Sequence, residues 1–312
     1  MIKRPLGKSG ISIAPLVLGG NVFGWTADLR TSHMVLDAFV HAGFGAIDTA
    51  DVYSAWAPGH QGGESEKVIG QWLSARGRRD DVTIITKVGM HPSHNKLTRD
   101  HIVAACEESL ERLRTDHIDV YFAHKDDPST PLEETMEAFA SLKKAGKVRA
   151  IGASNYSAAR MAEAETAAHE GARHEVQQPQ YNLMDREFES SLGPWCATHH
   201  VGVIPYFGLA SGFLTGKYRT EADFAKSPRG ASIKSRGMLG PKGLAVLAAL
   251  DSVAARHRAT PTQVSLAWLM ARPAVTAPIV SATSEAQLKD IVGCATLHLS
   301  SEDVWDLDRA SA

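Results

Sequence analysis

Residues 82–151 read VTIITKVGMHPSHNKLTRDHIVAACEESLERLRTDHIDVYFAHKDDPSTPLEETMEAFASLKKAGKVRAI. Three short β-branched runs, 82–86, 118–122 and 148–151, alternate there with two helical patterns. In the first pattern, 98–114, Ile102, Cys106, Leu110 and Leu113 step by four, four and three and so share one face. Glu107, Glu108, Glu111 and Arg112 lie mainly on the other side. The second pattern opens at Thr130-Pro131-Leu132-Glu133, with a cap residue, a proline at the first helical position and a glutamate placed to close a capping box. It stops near Gly146, after Lys143 and Lys144 in the last turn. Continuously apolar strands with helices between them are what a parallel sheet covered on both faces requires.

The same unit extends in both directions. Runs at 15–18 and 46–48 precede it, and runs at 175–178, 201–204 and 277–280 follow, which makes eight strand candidates. Thr260-Pro261-Thr262-Gln263 opens a later helix in the same manner as Thr130-Pro131. Eight such strands in 312 residues predict a closed (β/α)8 TIM barrel rather than an open sheet, in a single domain spanning residues 1–312. Ile2 to Ile13, with a Gly-Lys-Ser-Gly turn, reads as an N-terminal β-hairpin preceding the barrel. Residues 211–242 are rich in Gly, Ser and basic side chains with weak periodicity, which reads as a long functional or mobile loop.

Composition narrows the class. At 44% hydrophobic residues the chain can bury a large core. A formal net charge of -2, with charges dispersed rather than blocked, gives no case for nucleic acid or a membrane surface as partner. Cys106, Cys196 and Cys294 are widely spaced and form no CxxC, so neither a disulfide framework nor a zinc site is expected. MIKRPLGKSG has no apolar stretch of the kind a secretory leader needs, and no run approaches the ~18 residues that span a bilayer. A cytoplasmic location is the expectation. His91-Pro92-Ser93-His94 has the look of a metal pair, but it lies in a polar loop and lacks nearby acidic ligands, so no metal is expected. Cys106 and Trp268 fall on apolar helical stripes and read as core.

Active sites of such barrels lie at the C-terminal ends of the strands. Asp48, Lys87 and His124 end three consecutive strand candidates, and Tyr53 lies five residues past Asp48. Singly, each is as easily a cap, a rim residue or a loop residue. Together they suit carbonyl reduction, in which hydride delivery leaves an alkoxide that needs a proton. Free tyrosine, with a pKa of about 10, is a weak acid for that task. An ammonium ~4 Å away favours the phenolate by ~4 kcal/mol at an effective dielectric of about 20, roughly three pKa units, and desolvation opposes this. Lys87 supplies the ammonium, Asp48 holds it, and His124 orients the carbonyl oxygen.

These residues resemble the aldo-keto reductase family. Gly43 to Tyr53 (GFGAIDTADVY) and Gly62-Gly63-Glu64-Ser65-Glu66 are similar to its first signature, and Ile85-Thr86-Lys87 and Asp119 to His124 (DVYFAH) to the next two. Gly152-Ala153-Ser154-Asn155-Tyr156 and Gln178-Pro179-Gln180-Tyr181-Asn182 resemble its cofactor-facing strand ends. The resemblance, which extends to bacterial members and to the potassium-channel β-subunit-like branch, implies a barrel that binds a nicotinamide cofactor without a Rossmann domain. It implies Asp48, Tyr53, Lys87 and His124 as the catalytic set. It also implies that Ser154, Asn155 and Gln178 hold the nicotinamide amide, with Tyr206 stacked on the ring and Gly20 lining the cofactor site. Phe207, Gly208, Leu209, Gly212 and Lys217 would then form the loop over the pyrophosphate.

The adenosine end departs from the family pattern. The last strand–helix loop, Ser281 to Gln287 (SATSEAQ), has no cation for a 2′-phosphate, and Ser284 with Gln287 also makes a capping box. Ser281, Thr283 and Gln287 remain the candidates there, with Lys217, Arg229 or Arg236 supplying charge from the long loop, and Asp290 near the adenine. NADPH is the expected cofactor, with NADH the alternative. Trp25, Trp56 and Met90 are the candidate substrate wall. The expected partner is a small carbonyl compound, reduced reversibly to an alcohol; which one, and the oligomeric state, the sequence leaves open. Two other readings are a Schiff-base lyase using Lys87 and a non-catalytic redox-sensing subunit.

Overall fold

The computed structural model describes residues 2–169 and 171–312. Two short strands, β1 (Arg4–Pro5) and β2 (Ser12–Ile13), pair antiparallel as the expected hairpin. Eight more follow: β3 (Val17–Gly19), β4 (Ala46–Asp48), β5 (Thr83–Val88), β6 (Ile118–Ala123), β7 (Val148–Ser154), β8 (Val176–Gln178), β9 (Gly202–Val203) and β10 (Ile279–Val280). They form one parallel sheet in the order β10-β3-β4-β5-β6-β7-β8-β9. Hydrogen bonds from Thr276 N to Val203 O and from Ile279 N to Pro205 O, both 2.8 Å, join its two ends. The architecture is the (β/α)8 TIM barrel, with helices between successive strands.

Side chains alternate along a strand, so residues two apart share a face. Val17, Ala46, Ile85, Val120, Phe122, Ala150 and Val176 pack together in the lumen, and Leu6, Ile11 and Ile13 of the hairpin close its lower end. Their neighbours Ile47, Ile84, Tyr121 and Ile151 face outward into the layer shared with the helices. One step further up, the same inward face carries Asp48 after Ala46, Lys87 after Ile85, His124 after Phe122, Ser154 after Gly152, and Gln178 after Val176. The polar groups thus form the layer above an apolar plug. Gly152 is required by that plug, since a Cβ there would lie 2.5 Å from Cε1 of the buried Phe122 ring.

Several local expectations need correction. Strand β5 runs to Val88, so Lys87 lies inside the strand, opposite Phe122, and not after it. The helix Leu132–Lys144 starts without a capping box, because the Thr130 hydroxyl donates to Asp127 Oδ2 at 2.7 Å instead. The box at Thr260 and Gln263 does form. Residues 211–242 are not a structureless loop. They include the 3-10 turns Ala210–Thr215 and Glu221–Lys226, the helix Gly230–Ser235 and the start of the helix Pro241–His257. Phe213, Leu214, Tyr218, Ile233 and Met238 anchor this segment in the core, at spacings too irregular to show helical period in the sequence.

Candidate active site

Strands β4, β5 and β6 bring Asp48, Lys87 and His124 to one rim, and the loop after β4 returns Tyr53 over them. That loop is well fixed. Thr49 Oγ1 donates to Ser65 Oγ, which donates to the Gly20 carbonyl, both at 2.8 Å. A Cβ on Gly20 would stand 2.8 Å from Ser65 Oγ and 3.0 Å from Asp48 O, so Gly20 acts here by allowing close approach of two loops. Ser54, at φ 73°, ties the turn after Tyr53 to Phe23 O at 3.0 Å.

Lys87 is fully buried. Its Nζ donates to Asp48 Oδ2 at 2.8 Å, to Thr49 O at 2.6 Å and to the Tyr53 hydroxyl oxygen at 3.0 Å. Three donors meet three acceptors, so the amine is held as an ammonium although burial draws it below its ordinary range. The Tyr53 hydroxyl donates to Asp48 Oδ2 at 3.3 Å. Its pKa moves opposite to the sequence expectation. Burial first, and then the Asp48 carboxylate, push it well above 10.0. His124 is held well below 6.5 by burial, with Lys87 and Lys125 adding repulsion, so the imidazole is neutral. Its ring lies 6.0 Å from the Tyr53 ring, and its Nδ1 is buried with no protein partner.

Strands β7 and β8 and the turn after β9 complete the rim. Ser154 Oγ donates to Gln178 O at 2.8 Å. Asn155, at φ 59°, donates through Nδ2 to His124 O at 2.9 Å and accepts from the Tyr206 hydroxyl at 2.8 Å. Gln178 Nε2 donates to Asp48 Oδ1 at 2.9 Å. In the following turn Phe207, Ala210, Ser211 and Gly212 all have positive φ. The N–H groups of Phe207, Gly208 and Leu209 have no protein acceptor among the described residues, which leaves three successive donors unpaired in this turn. Lys217 Nζ lies against Gly212, 3.4 Å from where a Cβ would be. The Arg236 guanidinium lies over the Phe207 ring at 4.8 Å, and that of Arg229 over the Trp25 ring at 5.9 Å.

In the loop after β10, Ser281 Oγ donates to Asn21 Oδ1 at 2.5 Å. Gln287 Oε1 accepts from Thr283 N and Oγ1, while Ser284 Oγ accepts from Gln287 N at 3.2 Å. Gln287 therefore reaches past the cap residue to Thr283, and the expected reciprocal box does not close. Asp290 Oδ1 is taken by the Thr260 hydroxyl at 2.7 Å, so that oxygen does not face an adenine site. Trp25, Trp56 and Tyr53 form an edge-on series with ring centroids 5.6 and 6.0 Å apart. Met90 is exposed.

Sequence reasoning missed two features. Asn21 has no motif to announce it; only its contact with Ser281 does. Asp51 is buried behind the site with both carboxyl oxygens unpartnered, and burial, then Glu66, raise its pKa well above 3.8. His94 Nε2 does have an acidic neighbour, Glu108 Oε1 at 3.0 Å, contrary to expectation. No group of three or more His, Cys, Asp or Glu among the described residues is arranged to hold a metal. The Cys106 thiol is pushed up to about 12 by burial, and Trp268 is core. No helix of the described residues is long and apolar enough to cross a membrane.

The model of the Aldo/keto reductase family matches residues 15–312. The chain is 32% identical over 306 residues to aldo-keto reductase YhdN of Bacillus subtilis, covering 96% of this chain and 89% of that protein. It is 34% identical over 271 residues to aldo-keto reductase str7 of Strobilurus tenacellus, covering 86% and 78%. A probable voltage-gated potassium channel subunit beta of Arabidopsis thaliana is 32% identical over 300 residues, covering 92% and 89%. On these matches, over a barrel of eight parallel strands, the chain belongs to the aldo/keto reductase family.

Proposed function

We propose that the protein is an NADP(H)-dependent oxidoreductase that reduces an aldehyde or ketone to an alcohol, reversibly, with Tyr53 as the proton donor. The observation that carries this is the convergence of the Tyr53 hydroxyl, the Lys87 ammonium and the Asp48 carboxylate within 3.3 Å, beside a neutral His124. When bound, the nicotinamide supplies the hydride or takes it up. Tyr53 turns its hydroxyl proton from Asp48 to the carbonyl oxygen. The alkoxide that develops there is far more basic than a phenolate, so a raised Tyr53 pKa keeps the donor protonated without preventing transfer. Lys87 stabilises the phenolate left behind, and Asp48 holds Lys87 in place. The neutral His124 offers a ring N–H to the carbonyl oxygen and aims it at Tyr53. Trp25, Trp56 and Met90 wall the substrate site.

The chain's own groups fit the cofactor. The unpaired N–H groups of Phe207, Gly208 and Leu209, with Gly212 and the cations Lys217 and Arg229, suit a pyrophosphate. Ser154, Asn155 and Gln178 suit a carboxamide, and Tyr206 offers a ring to stack on it. Gly20 brings the first loop against this groove, and Ser281, Thr283 and Gln287 take the adenosine end. NADPH is the cofactor that the family resemblance implies, with NADH the alternative; Lys217 and Arg229 are assigned to the pyrophosphate, which both carry, and Arg236, with Asp185 at 3.9 Å, is the cation left for a 2′-phosphate. A lyase using Lys87 as a Schiff-base nucleophile is disfavoured by its three engaged protons. The test is a panel of aldehydes and ketones assayed with NADPH and NADH, then alcohols with the oxidised cofactors. Turnover well beyond one equivalent of NADPH supports the reading. Oxidation of a single equivalent, with no steady state on any carbonyl, supports the redox-sensing subunit instead.

A further inference from the structure

The rim residues fall into two groups by origin. Asp48, Lys87 and His124 come from β4, β5 and the end of β6; Ser154 and Gln178 come from β7 and β8. The hydrogen bond from Gln178 Nε2 to Asp48 Oδ1, 2.9 Å long, joins the two groups. In the closed order of the barrel β8 is the fourth strand from β4 in either direction, so this bond crosses the lumen between opposite walls. Both side chains are buried, Asp48 at 1% and Gln178 at 2% exposure.

The donor and acceptor inventory sharpens its meaning. A carboxylate only accepts, so Gln178 must turn its –NH2 toward Asp48. Asp48 Oδ2 receives Lys87 and Tyr53, and Oδ1 receives Gln178 alone. Without Gln178 the carboxylate is fixed at one oxygen only, and the other is left buried without a donor. We propose that Gln178 is a positioning residue for proton transfer: by pinning Asp48 across the lumen it sets the Lys87–Tyr53 pair in register with the cofactor-facing half of the barrel.

This rests on the reductase reading above, and it adds to a cofactor contact a role acting through Asp48. Removing the donor also leaves the Asp48 charge less compensated, and that charge lies 3.3 Å from the Tyr53 hydroxyl. Ionisation of Tyr53 then becomes harder.

Two measurements test it. The first uses the cofactor-free protein: urea unfolding of Gln178→Met, Asp48→Asn and the double variant. Methionine keeps the length and removes the donor. The proposal expects coupling, with Gln178→Met costing much less once Asp48 is Asn. The second is the pH dependence of alcohol oxidation at saturating NADP+, alongside the NADPH dissociation constant by fluorescence. The proposal expects the acidic limb of Gln178→Met to move up by about half a pH unit to one unit, with kcat reduced and the substrate KM little changed. Additive unfolding effects overturn it. So does an unmoved limb, whether with coupled unfolding or with only the NADPH constant raised, because Gln178 then serves structure or cofactor alone. If the wild-type protein turns over no carbonyl or alcohol, the reductase reading fails, and the cofactor-free cycle still decides whether Gln178 anchors Asp48.

Discussion

Tyr53 shows how much the setting of one residue matters. On chemistry alone, a lysine beside a tyrosine argues for an acidified phenol. In the folded chain the ammonium is shared among Asp48, Thr49 O and the Tyr53 hydroxyl, and desolvation of the half-buried Tyr53 beside the Asp48 carboxylate raises its pKa. The two directions of the reaction then respond differently to pH. Reduction needs Tyr53 protonated, a condition met throughout the neutral range. Oxidation of an alcohol needs the phenolate, whose population grows with pH until the raised pKa is reached. The expected result is a reduction rate nearly flat from about pH 6 to 8 and an oxidation rate still rising at about pH 9. Stopped-flow rates for the hydride step in both directions check it; an oxidation plateau near neutrality contradicts it. His124 adds no titration in this window, since burial holds it neutral.

At the scale of the element, the alternation of side chains carries the argument. Asp48, Lys87 and His124 were legible in the sequence because each closes an apolar strand run, and the period-2 alternation then places them on the same face as Ala46, Ile85 and Phe122, one layer higher. The same alternation brings Gly152 against Phe122. Gly152→Ala is expected to lower stability by about 1–3 kcal/mol through overpacking, measured by urea unfolding; an unchanged midpoint contradicts the tight lumen. The segment 211–242 was less legible. Its anchors Phe213, Tyr218, Ile233 and Met238 follow no helical or strand period, so its short helices left no pattern to read. In this segment Lys217 lies on Gly212, at the turn assigned to the pyrophosphate. Lys217→Ala is therefore expected to weaken NADPH and NADH alike, by about tenfold for a lost contact to a charged group. Loss confined to NADPH moves Lys217 to the 2′-phosphate.

For the whole molecule, the contacts that sequence reading missed are those between residues far apart along the chain. Gln178 with Asp48 and Ser281 with Asn21 join residues 130 and 260 positions apart. No local spacing encodes such pairs; barrel closure alone makes them neighbours. Thr130 and Gln287 failed for the opposite reason, since each found a better partner than the local box, Asp127 and Thr283. The cofactor groove proposed above runs from Tyr53 to Gln287, so a ligand filling it would tie several strand ends together. Saturating NADPH is expected to stabilise the protein by about 2.7 kcal/mol at one hundred times its dissociation constant, read as a raised unfolding midpoint. An unmoved midpoint removes the groove from cofactor binding.

The central claim is that Tyr53 gives the carbonyl its proton, and Tyr53→Phe tests it most directly, because the ring stays and only the hydroxyl leaves. The measurement pairs the NADPH dissociation constant, from fluorescence, with the single-turnover rate of carbonyl reduction. The account predicts a dissociation constant within about twofold of wild type and a rate lower by roughly 10²–10⁴. A variant that binds NADPH normally and keeps most of the reduction rate contradicts it.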